Sequence, residues 1–192
     1  RKRTAYWPDI LKHSEFAARR KLNSYPVPSK YGGYEPGYLG FVHTFEQLIP
    51  AAEYLKRNPE YFSLIDGKRV GGQYVGQLCL TNPDVADKIT ESALNVLKKY
   101  SGNRKIEISQ NDNQFPCQCG KCLESDRQYG ASGTLIRFIN VIAERLEKVY
   151  PDVEIRTLAY LYTEDIPVNV KPRSNVCIQL CSMQSSSLQP LD

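Results

Sequence analysis

Residues 82–113 read NPDVADKITESALNVLKKYSGNRKIEISQNDN. Asn82 suits an N-cap, Pro83 the first helical position, and Asp84 and Asp87 lie near the positive end of a helix dipole. Ala86, Ile89, Ala93, Leu97 and Tyr100 then recur at helical spacing, and Ser101-Gly102 stops the run. Ile106-Glu107-Ile108-Ser109 follows as a short strand. The same order returns downstream. Ser132-Gly133 precedes a stripe of Leu135, Ile139, Ile142, Leu146 and Val149, Tyr150-Pro151-Asp152 ends it, and strand patterns occupy Val153 to Tyr162 and Val176 to Leu180. Helices alternating with strands predict parallel βαβ units.

Upstream, Gly40-Phe41-Val42-His43 and Leu78-Cys79-Leu80 read as further short buried strands. Thr4-Ala5-Tyr6-Trp7 with the helical stretch Glu15 to Arg19 reads as one more unit, and Tyr61 to Ile65 turning at Asp66-Gly67 reads as an inserted hairpin. The glycine-rich phosphate turn of a doubly wound sheet is missing, because neither Gly32-Gly33 nor Gly71-Gly72 follows a strand and opens a helix. The expectation is therefore an α/β chain of the (β/α)8 TIM-barrel type, forming one domain over residues 1–192 and incomplete as a barrel. The sole methionine, Met183, and the polar end of the sequence suit a fragment of a longer chain.

The formal charge of +4 is spread over Arg1-Lys2-Arg3, Arg19-Arg20-Lys21 and Lys98-Lys99, which favours solvated surface over a nucleic-acid patch. No apolar run has the length of a membrane span. Nothing in the sequence commits the chain to a cofactor or a metal.

In a barrel the chemistry sits just after each strand. Asn111-Asp112-Asn113 occupies such a position, a carboxylate between two amides, although the same triplet is good turn chemistry. Glu164-Asp165 and Glu46 are further acidic candidates, and two carboxylates across one sugar make the ordinary glycosidase arrangement. Trp7, Tyr160 and Tyr162 near strand ends, and Tyr31, Tyr34 and Tyr38 in a glycine-rich loop, suit the apolar faces of sugar rings but equally suit burial. His43 ends a strand pattern and is a candidate substrate contact or acid/base, with a structural donor the level alternative. Cys117, Cys119 and Cys122 cluster after the Asn-Asp-Asn loop. Three readings stand level for them: a zinc site completed by Cys79, Cys177, Cys181 or a histidine, a disulfide, or a reduced loop that braces Asp112.

These segments together resemble a known family. The run from Phe41 to Phe45, the stretch from Asn58 to Arg69, Gln77 to Pro83, Ser109 to Asn113, the cysteine cluster, Ser132 to Phe138 and Thr157 to Tyr160 look like the domain of unknown function 4838, common in Bacteroides-type gut bacteria and overlapping glycoside hydrolase family 163. The resemblance implies an exported barrel enzyme, periplasmic or at the cell surface, of the endo-β-N-acetylglucosaminidase type. Its partner would be an oligosaccharide or the glycan of a glycoprotein. Related acetamido-sugar hydrolases use substrate assistance, in which one residue orients the 2-acetamido group and a neighbour protonates the leaving oxygen. Asn111 and Asp112 fit those roles, or Asp112 orients and the acid is Glu164 or a residue beyond this sequence; His43, Asn113, Tyr160, Tyr162 and Trp7 are the expected substrate contacts. A non-catalytic glycan-binding domain and a zinc-containing module are the alternatives.

Overall fold

The computed structural model describes residues 12–22, 27, 29–31 and 38–181. The chain divides into two compact units, residues 1–38 and 39–192. In the first, helix α1 (Ser14–Arg19) buries Ala17 and carries an exposed Arg19–Glu15 ion pair of 3.0 Å. The expected strand at Thr4 to Trp7 lies outside the described residues.

The second unit opens with two single-turn helices, α2 (Phe45–Leu48) and α3 (Ala51–Tyr54). The hairpin then forms as its turn chemistry dictates: β1 (Ser63–Ile65) pairs antiparallel with β2 (Lys68–Val70). Asp66 and Gly67 both sit at positive φ, +47° and +77°, which a tight two-residue hairpin turn requires. Helix α4 (Pro83–Lys99) begins where the sequence places it, with Asn82 Oδ1 accepting from the Asp84 amide at 3.0 Å and Pro83 in the first turn.

Strand β3 (Lys105–Glu107) leads to helix α5 (Gly120–Val149), then β4 (Glu154–Ala159), a 3-10 turn (Leu161–Thr163) and β5 (Val176–Leu180). Helix α5 starts twelve residues before Ser132 and is broken at Gly130. There φ 76° and ψ 160° put the backbone in a region that only glycine occupies readily. Helices α4 and α5 pack on the parallel sheet. Ile89, Leu97, Leu135, Phe138, Ile139, Ile142 and Leu146 join Ile106, Ile108, Val153 and Ile155 in one buried cluster. Burying each such side chain stabilises the fold by about 2 kcal/mol.

The expected eight-stranded barrel is not what forms. Among the described residues there are two small sheets, the hairpin and a three-stranded parallel sheet in the order β3-β4-β5, and neither closes. Closure needs strands tilted and staggered until the last pairs with the first. Beyond β3, among the described residues, one parallel bridge, Leu39 to Ile106, continues the sheet. The strand expected at Gly40 to His43 fails for a backbone reason: Gly40 at φ +84° and His43 at φ +62° turn the chain out of the extended region. The strand expected at Leu78 to Leu80 is instead one antiparallel bridge, Leu78 to Phe62, so this segment runs against the hairpin side of the unit. Among the described residues no helix is long and apolar enough to cross a membrane.

Candidate functional site

The chain leaving β3 is held rigidly on both flanks. Thr44 Oγ1 donates to the Glu107 carbonyl at 3.0 Å and accepts from the Ser109 amide at 3.1 Å, and the Phe45 amide donates to the Ser109 carbonyl at 3.0 Å. On the other flank the buried Gln110 amide donates to Thr163 Oγ1 at 2.7 Å and to the Leu158 carbonyl at 3.2 Å. Buried Gln77 completes the frame. Its Oε1 accepts from the Asn111 amide at 2.9 Å, and its Nε2 donates to the Asn111 carbonyl at 2.9 Å and to Asn113 Oδ1 at 3.0 Å.

On this frame Asp112, His43 and Tyr160 converge. The Tyr160 hydroxyl donates to Asp112 Oδ1 at 2.7 Å, and His43 Nε2 stands 3.9 Å from the same oxygen. The His43 and Tyr160 rings are 5.2 Å apart and tilted by 56°. Asp112 is the accessible member, its side chain 38% exposed against 15% for His43. The Asp112 carboxylate, as acceptor of the phenol proton, pushes the Tyr160 hydroxyl up to about 12.

His43 is fixed by three features. It sits at φ +62°, its amide donates to Ser109 Oγ at 2.9 Å, and its Nδ1 lies 2.8 Å from the Gln110 carbonyl. A carbonyl only accepts, so this contact assigns the proton to Nδ1 and leaves Nε2 facing Asp112. Protonation of Nε2 would convert that approach into an ion pair. Backbone strain held by surrounding hydrogen bonds is characteristic of positioned side chains at functional sites.

The two amides flanking Asp112 serve the loop. Asn111 is buried: its Oδ1 accepts from the Glu46 amide at 3.0 Å and its Nδ2 donates to the Gly76 carbonyl at 3.0 Å. Asn113 is buried as well, donating to the Gln73 and Gly76 carbonyls and accepting from Phe115 N and Gln77 Nε2. Glu164 follows the 3-10 turn, and its Oε1 is buried without a hydrogen-bond partner among the described residues. Glu46 places Oε1 on the Ala51 amide at 3.0 Å, and its Oε2 is buried without such a partner.

The family model of a domain of unknown function, DUF4838, matches residues 1–192. The chain belongs to the DUF4838 family. No curated protein and no solved structure matches it.

In this DUF4838 chain one further expected contact, Tyr162, does not join Asp112. Tyr162 turns its hydroxyl into a buried interstice beside Gln77, Pro116, Cys122 and Asp126, and burial raises its pKa well above the ordinary phenol value. Trp7 and Tyr34 lie outside the described residues. A surface depression of about 750 Å³ between α4 and α5 is lined by residues such as Tyr129, Arg137 and Arg145 and by none of the expected site residues. Large volume and converging polar groups thus part company, and the convergence is the better guide because catalysis needs positioned groups.

Two residues that organise the DUF4838 site, Gln77 and Gln110, carried no assigned role in the sequence. The available signal was a glutamine at the edge of a short buried strand pattern, Gln77 before Leu78 to Leu80 and Gln110 after Ile106 to Ser109, where the amide must find partners. The cysteines form a second centre: Cys79, Cys117, Cys119 and Cys122 bring their sulfurs within 4.8 Å of one another, while Cys177 and Cys181 stay outside.

Proposed function

We propose that this DUF4838 chain carries the catalytic centre of a glycoside hydrolase of the endo-β-N-acetylglucosaminidase type, acting on N-glycans or related host glycans outside the cytoplasm. The observation that carries the reading is the half-exposed Asp112 carboxylate, held by the Tyr160 hydroxyl and faced by His43. The resemblance to glycoside hydrolase family 163 supplies the substrate class.

In a substrate-assisted reaction the acetamido carbonyl oxygen attacks the anomeric carbon as the bond to the leaving oxygen breaks, and an acid delivers a proton to that oxygen. Asp112 accepts the acetamido N–H and offsets the positive charge that develops on the closing ring. The Tyr160 hydroxyl, donating to Asp112 Oδ1 at 2.7 Å, fixes the orientation of that carboxylate. Glu164 is the acid in this reading, its buried Oε1 having no hydrogen-bond partner among the described residues. Asn111 drops out of the orienting role, because its amide already binds the Glu46 amide and the Gly76 carbonyl.

Asp112→Asn tests the assignment. Turnover of an N-glycan should fall by about 10²- to 10⁴-fold with the fold intact. An activated aryl N-acetylglucosaminide, whose leaving group needs little protonation, should lose as much if Asp112 orients the amide and far less if Asp112 is the acid. Undiminished cleavage removes Asp112 from the mechanism. Glycan binding without turnover by the unmodified protein would make this a binding domain and sink the enzymatic reading.

A further inference from the structure

We propose that Cys79, Cys117, Cys119 and Cys122 form a closed tetrahedral zinc site that clamps the loop after Asp112. The cluster draws on two distant parts of the chain. Cys79 comes from the turn before α4, and the other three from the segment that opens α5, with Cys119 at the helix N-cap and Cys122 in its first turn. Cys79 Sγ lies 3.7 Å from Cys119 Sγ and 3.8 Å from Cys122 Sγ, and all four sulfurs fall within 4.8 Å of one another. Four thiolates about 2.3 Å from a central zinc stand about 3.8 Å apart along the tetrahedron's edges. An iron–sulfide cluster would hold its thiolates further apart. Two disulfides would instead draw the sulfurs into two bonded pairs about 2 Å apart, with nothing to keep the pairs together around one point.

The surroundings are those of thiolates. The Leu64 amide donates to Cys117 Sγ at 3.3 Å, and the Arg69 guanidinium approaches the same sulfur at 3.8 Å while donating to the Phe62 carbonyl. Thr81 Oγ1 is 3.1 Å from Cys122 Sγ. Such outer donors orient metal-bound sulfur and offset its charge, as does the positive end of α5 beneath Cys122. Cys79, Cys117 and Cys122 are buried, whereas Cys79 and Cys119 also border an open depression of about 590 Å³ that gives a metal a route in. All four positions are taken by protein sulfur, so the zinc has no vacancy for water or substrate and its role is structural.

That role follows from what the loop touches. Between Asp112 and Cys119 the chain is tied to the hairpin by the Gln118 amide on the Leu64 carbonyl at 2.8 Å and by Ser63 Oγ on the Phe115 carbonyl at 3.2 Å. A metal joining Cys117 and Cys119 to Cys79 locks the hairpin, the start of α4 and the start of α5 around that loop. The proposal holds whether or not Asp112 is catalytic.

The test is metal content and spectroscopy on the protein purified without chelator from zinc-supplemented medium. About one zinc per chain is expected, released by an organomercurial, with six free thiols after denaturation in chelator. Cobalt(II) added to the apo protein should give the intense thiolate-to-cobalt band and the visible bands of a tetrahedral site. Cys119→Ser should weaken zinc retention and alter the cobalt spectrum, whereas Cys177→Ser, on exposed β5, should leave both unchanged. Should Cys119→Ser fail to fold, the cobalt spectrum of the unmodified protein still decides. Zinc far below one equivalent with only two titratable thiols would identify disulfides and overturn the proposal. Bound iron, or a cobalt spectrum without thiolate bands, would overturn it equally.

Discussion

The Tyr160 hydroxyl and Asp112 Oδ1, 2.7 Å apart, join the end of β4 to the loop that follows β3. Because the phenol donates its proton in a hydrogen bond to this carboxylate, Tyr160 is pushed up to about 12 from its ordinary 10. Ultraviolet titration of the folded protein should show this late phenol, and Asp112→Asn should return it toward 10. The sign of the linkage is defined: the folded state keeps a proton that the unfolded chain loses above pH 10, so this contribution to stability is complete below pH 10 and lost between pH 10 and 12. Tyr160→Phe removes a hydrogen bond to a charged acceptor, an effect of roughly 1.5–3 kcal/mol, and should cut glycan turnover about 10- to 100-fold. Equal turnover in Tyr160→Phe would show that the contact does not tune Asp112.

Gln77 should be worth more than an average buried residue. Gln77→Ala leaves the buried Asn111 amide without its 2.9 Å acceptor and removes the donations of Nε2 to the Asn111 carbonyl and to the carbonyl and Oδ1 of Asn113. The expected cost is on the order of 2–3 kcal/mol in urea unfolding. Activity should fall with it, since Asp112 lies between the two residues Gln77 holds. A midpoint unchanged in urea would mean that the loop is carried by its other contacts.

Glu107 of β3 and Arg156 of β4 face each other in the parallel register and form an ion pair in which the Glu107 side chain is fully buried. Burial raises the Glu107 pKa above its ordinary 4.5, and the Arg156 guanidinium opposes that rise. Arg156→Met leaves this carboxylate buried beside an apolar group, which should cost about 3 kcal/mol at neutral pH. The folded variant then binds a proton that the unfolded chain has released above pH 4.5, so its stability should fall as pH rises from there. Unfolding at pH 4 and at pH 7 checks this: an identical deficit at both would exclude Glu107 as its source.

The elements legible in the sequence are those whose causes are local. Asn82, Pro83 and the stripe through Leu97 specify α4 within one segment, and Asp66-Gly67 specifies the hairpin turn, because caps, periodicity and positive φ involve near neighbours. The strand at Gly40 to His43 misreads because an apolar run looks the same whether extended or folded back, and His43 at positive φ is held by hydrogen bonds that it donates to Ser109 Oγ and the Gln110 carbonyl, residues distant in sequence. Neither the number of strands nor sheet closure is a local property, and the barrel expectation failed on it.

By itself, the sequence determined the family, the helices that cover the sheet, and the position of Asp112 in the segment that leaves β3, since a run of 192 residues matched in order carries family membership without coordinates. Tertiary structure alone decided which neighbours serve chemistry and which serve the loop. Asn111 and Asp112 are adjacent and similarly polar, yet one is buried with its amide engaged and the other is half-exposed beneath Tyr160. The same holds for the cysteines. Cys79 meets Cys119 across forty residues because the hairpin and α5 pack the turn before α4 against the start of α5, a proximity created by burial that no spacing in the sequence encodes.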